Sequence, residues 1–439
     1  MSNSLQSKHL ADLHDLAREQ GVDRYRMMSR NELIEALGGE AAPERSEGDD
    51  RAPGEGAPRR RSRGGRSRGS DRRGGRGGGR RSNQERDSER DVAEAEDDVV
   101  EDEEGTPVSG VLEITSRGHG FVRREEDPDD EGDVYVSPSQ IRRCELSDGD
   151  LVTGPARKPR RGERHPALIH IDTVNGSEPG GSRSRFEDLE PKPPHRRLPL
   201  AGEGLSDDER TLIRSLDKLV PLARGQRVLI EASRGSGRTT LMRALARELS
   251  GQEDLGVVVV LIDERPEEAP AWREALPEAE LAIATADMRP KEQLRLVELA
   301  VSQAKRRVEG GEDVVVLVDS LSRLAVAADD PGAAKPIFAA GRETVDEATG
   351  SLTVVATVLT DGTDGVHEAL RTTENVALAL DAELAAAGVY PALVAGSARV
   401  TGEEDLREDK ELEAARELRA QLERLDAREA AEKLAEESK

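Results

Sequence analysis

Cysteine is all but missing from this chain of 439 residues: Cys144 stands alone, so no intrachain disulfide can form, and a reducing cytoplasm is the expected setting. Aromatic side chains are nearly as scarce, with one Trp, three Tyr and three Phe. The core must therefore be aliphatic, and any segment that gathers aromatics stands out. No run of about 18 apolar residues occurs, which excludes a membrane-spanning helix. The first residues lack the apolar core of a signal peptide, so no leader is expected. Positive charge is in deficit, with 65 Lys and Arg against 90 Asp and Glu and a net charge of −25. That balance argues against nucleic-acid affinity over the whole surface, so any RNA or DNA site must be a local patch. The same acidity with few aromatics also fits disorder or a high-salt habitat.

The length allows two or three domains. Residues 1–39 read as an N-terminal helical domain: Leu10, Leu13 and Leu16 share a helix face, and Ser29 with Glu32 forms a capping box ahead of Leu33, Ile34 and Leu37. Residues 40–105 are poor in apolar side chains and are expected to be disordered. Arg59–Arg81 alternates Arg with Gly, a composition that contacts RNA loosely through phosphate and base stacking, whereas residues 84–104 are mostly acidic.

From 106 to 175 the chain changes character. Val111–Ile114, Gly120–Arg123, Asp133–Val136, Asp150–Thr153 and Ala167–Ile171 are short strand-like runs between Gly, Asp and Pro turns. Five such runs predict a small barrel of the OB type, a fold that stacks single-stranded bases on surface aromatics. Phe121, Arg123, Tyr135, Arg142 and Arg143 are the candidates for that work. A Ser-, Gly- and Pro-rich linker follows over 176–205.

Residues 206–405 alternate strands with helices, the pattern of a parallel sheet flanked by helices. Arg227–Ala232 is a strand, Arg234–Arg238 a glycine loop, and Thr239 and Thr240 open a helix carrying Leu241, Met242, Leu245 and Leu249. Strand, loop and helix N-terminus make an anion site, because free backbone N–H groups and the helix dipole both favour phosphate. The loop nearly matches a P-loop, with Ala232 at the first glycine position and Arg238 at the lysine position. Two apolar strands, Gly256–Asp263 and Asp313–Asp319, end in acids. Such a carboxylate orders Mg²⁺ beside nucleotide phosphates. Glu264 ends the first and could polarise an attacking water. Leu352–Leu359 and Asn375–Leu380 read as further strands. The tail, 406–439, reads as a charged helix with Leu412, Leu418, Leu422 and Leu425 at helical spacing, packing on the core or on a neighbour.

DVYVSPSQIRR (Asp133–Arg143), RGQR (Arg224–Arg227), LIDERPEE (Leu261–Glu268) and VDSLSRLA (Val318–Ala325), in this order after a barrel, resemble the bacterial transcription termination factor Rho family. The resemblance covers most of the chain outside the Arg/Gly and acidic insert. It implies a RecA-like ATPase domain, a homohexamer, single-stranded RNA as partner, RNA polymerase or a second Rho as further partners, and RNA-dependent ATP hydrolysis that releases transcripts. It implies RNA contacts at Gly118, His119, Gly120, Phe121, Val122 and Arg123, at Asp133, Val134 and Tyr135, and at Glu163, Arg164 and His165. His119 and His165 stand where the family has aromatics. It implies ATP contacts at Ala223, Arg224, Gly225, Gln226, Arg227 and Val228, at Gly235, Ser236, Gly237, Arg238, Thr239 and Thr240, and at Arg265. Mg²⁺ is expected at Thr239 and Asp319, and the catalytic water at Glu264.

The sequence also departs from that family. Arg238 replaces the loop lysine and keeps its charge in a broad planar fork of different geometry. Gly235 stands where a further lysine is usual. The stretch between Arg323 and Leu352 is shorter than the family pattern and lacks the loop that grips RNA in the channel, although Arg371 stands at the position of the other channel loop's lysine. The first arginine-finger position is Gly388 and the second Thr401, with Arg399 two residues away. A missing finger commonly costs on the order of 10³-fold in rate. These departures set two expectations side by side: an RNA-driven motor in which Arg238 and Arg399 compensate, and a catalytically impaired relative that regulates by binding RNA or by mixing into a ring.

Overall fold

The computed structural model describes residues 105–123, 132–181, 183–361 and 365–439, with Leu37. Apart from Leu37, the segment expected to form an N-terminal helical domain lies outside the described residues, as do the Arg/Gly tract and the acidic block.

The first unit is a small barrel. Strands β1 (Thr106–Ile114), β2 (Gly120–Arg123), β3 (Val134–Val136), β4 (Leu151–Arg157), β5 (Ala167–Leu168) and β6 (Thr173–Val174) lie in the order β1-β2-β3-β5-β4-β6, and β1 also pairs with β4 to close the sheet on itself. Alternate residues of β1 to β4 turn inward, so Leu112, Val122, Val134, Val136 and Val152 are buried beside Cys144. A short helix, α1 (Pro138–Arg143), is started by a reciprocal capping box between Ser137 and Gln140. The Gln140 amide then reaches on to donate to the Leu168 and Ile169 carbonyls at 2.9 and 3.2 Å, tying helix to strand.

The second unit is a seven-stranded sheet. Its strands are β7 (Arg227–Ala232), β8 (Gly256–Glu264), β9 (Glu280–Thr285), β10 (Val314–Asp319), β11 (Leu352–Leu359), β12 (Val376–Leu380) and β13 (Leu393–Val400), ordered β9-β8-β10-β11-β7-β12-β13. All neighbours are parallel except β12 and β13. Val257, Val259 and Leu261 enter the core on one face, while Val258, Val260 and Ile262 enter the core on the other. A valine run is what a strand covered by helices on both faces requires. Helices α2 (Asp207–Leu219) and α3 (Arg238–Ser250) pack on the first face, and α4 (Pro290–Glu309) and α5 (Leu321–Ala328) on the second.

Two strands differ from the sequence expectation. ELAIAT at β9 mixes polar and apolar residues at an edge, and β13 lies in the segment read for arginine fingers. The tail forms two helices rather than one, α6 (Asp409–Leu422) and α7 (Ala427–Glu437). Leu422, Ala430 and Leu434 join the core of their own sheet, and Leu418 and Leu425 pack against it. The barrel meets the ATPase-type unit at Glu113, which accepts from Arg123 at 2.9 Å and also pairs with Arg295 of α4.

Candidate nucleotide and RNA sites

The glycine loop sits at the carboxyl end of β7, in the centre of the sheet, where open parallel sheets bind ligands. Gly235 and Gly237 take φ of 78° and 88°, a left-handed backbone that admits glycine without strain. No side chain caps α3 at Gly237, so the first N–H groups of this 13-residue helix are left for a ligand. Beside them opens a cleft of about 1160 Å³. Gly235, Gly237, Arg238, Thr239, Thr240 and Arg265 line it, while Ser236 is buried beneath the loop and donates to the Ser233 carbonyl at 2.8 Å.

The remaining expected ATP residues lie elsewhere. Ala223, Arg224, Gly225, Gln226, Arg227 and Val228 sit at the opposite end of β7, five residues from its carboxyl end and so roughly 17 Å away at 3.3 Å per residue. Each has work there. The Gln226 side chain accepts from the Ala223 N–H at 2.8 Å, and the Gly225 N–H donates to Thr353 Oγ1 at 2.8 Å. Arg224 pairs with Asp254 and Asp313, and Arg227 donates to the carbonyls of Thr373 and Gly341. Within one chain the two segments do not form one phosphate site.

The two acids expected to serve metal and water also stand back from the cleft. Asp319 is fully buried. Its Oδ1 takes Thr357 Oγ1 at 2.9 Å and Arg238 Nε at 2.9 Å, and Nε also donates to Oδ2 at 3.1 Å. Both carboxylate oxygens are thus engaged by the chain itself. Glu264 is buried, accepts from the Arg265 N–H at 3.1 Å and lies 3.8 Å from Arg323 Nη1. A bulge at the end of β8, where Asp263 takes φ of 55°, turns Asp263 into the cleft in its place. Asp263 was read only as the acid ending its strand, and Arg323, Gln293 and Val326 are lining residues that the sequence reading passed over. Arg323 was within reach, since it follows the acid-ended strand β10 by four residues and so starts at the same edge.

The departures in the finger and channel segments can also be placed. Arg399, 65% exposed on β13, lies 3.6 Å from Glu231, which also meets His367 Nε2 at 3.2 Å. Gly388 occupies an open left-handed turn with φ of 72°. Arg371 is exposed and pairs with Glu368 at 3.3 Å.

On the barrel, β2, β3 and the loop before β5 bring four rings together. Phe121 lies 5.6 Å from His119, 6.0 Å from Tyr135 and 5.1 Å from His165, centroid to centroid, and His119 lies 5.7 Å from Tyr135. All four are half-buried, with the barrel core behind them. Register explains the grouping: Phe121 pairs directly with Tyr135, and Tyr135 bridges to Ala167 just beyond His165. The Arg123 guanidinium lies 5.8 Å from the Phe121 ring centre and pairs with Glu113 and Asp133. Val122 and Val134 point into the core, while Gly118 and Gly120 shape the turn into β2. Glu163 receives a two-pronged bond from Arg157 at 2.6 and 2.8 Å, which holds its carboxyl below the usual range and fixes the loop bearing exposed Arg164. Burial and the charge of Arg117 lower the His119 pKa, which favours the uncharged ring. Arg142 and Arg143 lie on α1.

Comparison with known proteins finds matches to both units. Models of the Rho termination factor RNA-binding domain and N-terminal domain match residues 108–180 and 4–40, and the nucleotide-binding domain of the ATP synthase alpha/beta family matches 213–335. Transcription termination factor Rho of Pseudomonas fluorescens biotype C is 35% identical over 334 residues, covering 69% of this chain and 78% of that protein. The chain belongs to the transcription termination factor Rho family. Rho of Thermotoga maritima is 36% identical over 311 residues (65% and 71%), and that of Neisseria gonorrhoeae 34% over 358 (75% and 84%). The unit that carries the glycine loop accordingly matches an ATPase-type nucleotide-binding domain, and the barrel matches a Rho RNA-binding domain. Among the described residues no helix is long and apolar enough to cross a membrane.

Proposed function

We propose that this chain acts in RNA-dependent transcription termination, binding single-stranded RNA on the ring cluster of the barrel and adenine nucleotide at the glycine loop. The observation that carries the RNA half is the grouping of His119, Tyr135 and His165 within about 6 Å of the Phe121 ring on a barrel otherwise built of aliphatics. Unstacked bases find π-faces there, with Arg123 and Arg164 beside them for phosphate. The nucleotide half rests on the free N–H groups of α3, with Arg234, Arg238 and Arg265 around the cleft. The ring this reading calls for is a homohexamer, and the edge position of β13 with its exposed Arg399 supports a contact of that residue with a neighbouring subunit. Mg²⁺ is the ion an ATPase domain ordinarily takes, but in this arrangement only the Thr239 hydroxyl of the expected donor pair lines the cleft. Thr239 and Asp319 are therefore not presented together for the ion, although Asp263 and Asp361 line the same cleft.

A second reading is favoured by the Arg238–Asp319 pair: the chain regulates termination as an RNA-binding subunit, alone or in a mixed ring with a relative that carries the usual lysine. Reconstituted transcription separates the two. Transcript release by this chain alone supports the first reading, and altered release only when it is mixed with such a relative supports the second. A chain that leaves transcripts unchanged in both reactions, with no RNA bound, overturns the proposal.

A further inference from the structure

The guanidinium of Arg238 has two ends with different surroundings. Its Nε is bonded to both oxygens of buried Asp319 at 2.9 and 3.1 Å. Its two terminal NH₂ groups donate no hydrogen bond among the described residues, and Arg238 lines the cleft beside the glycine loop. A cation anchored on the acid at the end of a strand, with its outer side turned to the phosphate position, is the placement a divalent metal takes in an ATPase of this type. Arginine suits the task in a way lysine does not. Its rigid fork can donate to a carboxylate from one edge and to a phosphate from another, whereas an ammonium is a single point charge. The Thr357 hydroxyl takes up the remaining capacity of Oδ1 at 2.9 Å, so the acid is satisfied without a metal.

We propose that Arg238 replaces the divalent cation in this site, so that the chain binds adenine nucleotide without a metal. The inference rests on the nucleotide half of the proposed function. One positive charge spread over a planar group stands where a metal would concentrate two, so the site holds nucleotide and stabilises developing charge on the phosphates poorly.

The test is the affinity of the full chain for a fluorescent ADP analogue, read by anisotropy in excess MgCl₂ and again in excess EDTA. The expected dissociation constants agree within about threefold. A loss of about tenfold or more in EDTA overturns the inference, because metal then carries part of the binding. Absence of binding in both buffers overturns the nucleotide reading of the cleft as well, so the two failures are distinct. Arg238→Lys supplies an independent check: the shorter point charge cannot span acid and phosphate, Asp319 is released, and EDTA should now weaken binding by about tenfold. A lysine variant as indifferent to EDTA as the parent contradicts the assigned role of the guanidinium.

Discussion

Removing the Phe121 ring isolates the RNA site most sharply. Phe121 is the hub of the ring cluster, with His165, His119 and Tyr135 at 5.1, 5.6 and 6.0 Å and the Arg123 guanidinium at 5.8 Å. It is half-buried, and the barrel core of Leu112, Val122, Val134 and Val136 lies beneath it. Phe121→Ala should therefore leave the barrel folded while removing one stacking platform. Stacking of a base on an aromatic ring is worth about 1–3 kcal/mol, so affinity for a cytosine-rich RNA should fall roughly 5- to 150-fold. The ring carries no charge, so the slope of log affinity against log salt should not change, whereas Arg164→Ala should lower that slope by about one while costing less at high salt. Anisotropy titrations across a salt series, with circular dichroism to verify folding, give both quantities. A folded Phe121→Ala protein that binds within about twofold of the parent would refute stacking on this cluster.

Three further outcomes test the scaffold. Asp313→Ala removes the partner shared by Arg196, Arg224 and the Ser351 N–H, and should cost about 3 kcal/mol in denaturant unfolding. Burial alone would raise the Asp313 carboxyl, but bonds from Arg196 and Ser351 and the charge of Arg224 hold it below its ordinary range. Its contribution is therefore complete above the unfolded-state pKa and lost as pH falls through the lower folded value, and the parent and Asp313→Ala should converge in stability there. Gly225→Ala should be poorly folded, because φ is 80° and a Cβ would lie 2.2 Å from the backbone nitrogen of Glu343; wild-type thermal stability in that variant would contradict the packing described. Leu434→Ala, fully buried where α7 meets the sheet, should cost roughly 2–5 kcal/mol and expose the tail to limited proteolysis.

Much of this architecture is written locally. Valine runs at β8 and β10 announce buried parallel strands, and the glycine loop between a strand and an amphipathic helix announces a phosphate site, because period and turn chemistry act over a few residues. Phe121 and Tyr135 were legible as surface aromatics because so few aromatics compete with them, and their direct pairing follows from two short antiparallel strands. What escaped depends on distant residues. The Arg238–Asp319 pair joins positions 81 apart in sequence, and nothing near either residue announces it. The parting of Ala223–Val228 from the loop follows from the length of β7, since a strand separates what its sequence places side by side. Glu264 and Asp263 are adjacent acids on a strand, so only one can face the cleft, and the bulge that selects Asp263 has no signature in LIDERPEE. The edge strand β9 was missed because its alternation is broken by Ala and Glu, and pairing with β8 supplies what its own pattern does not.

The most direct test of the central claim is transcript release from stalled elongation complexes by the purified full chain, alone and mixed with a lysine-bearing relative, beside the Phe121→Ala variant. The account predicts a change in transcript release by the unaltered chain in at least one of the two reactions, and its loss in the variant. Folded protein that leaves the transcripts unchanged in both, or a variant that acts as well as its parent, would contradict it.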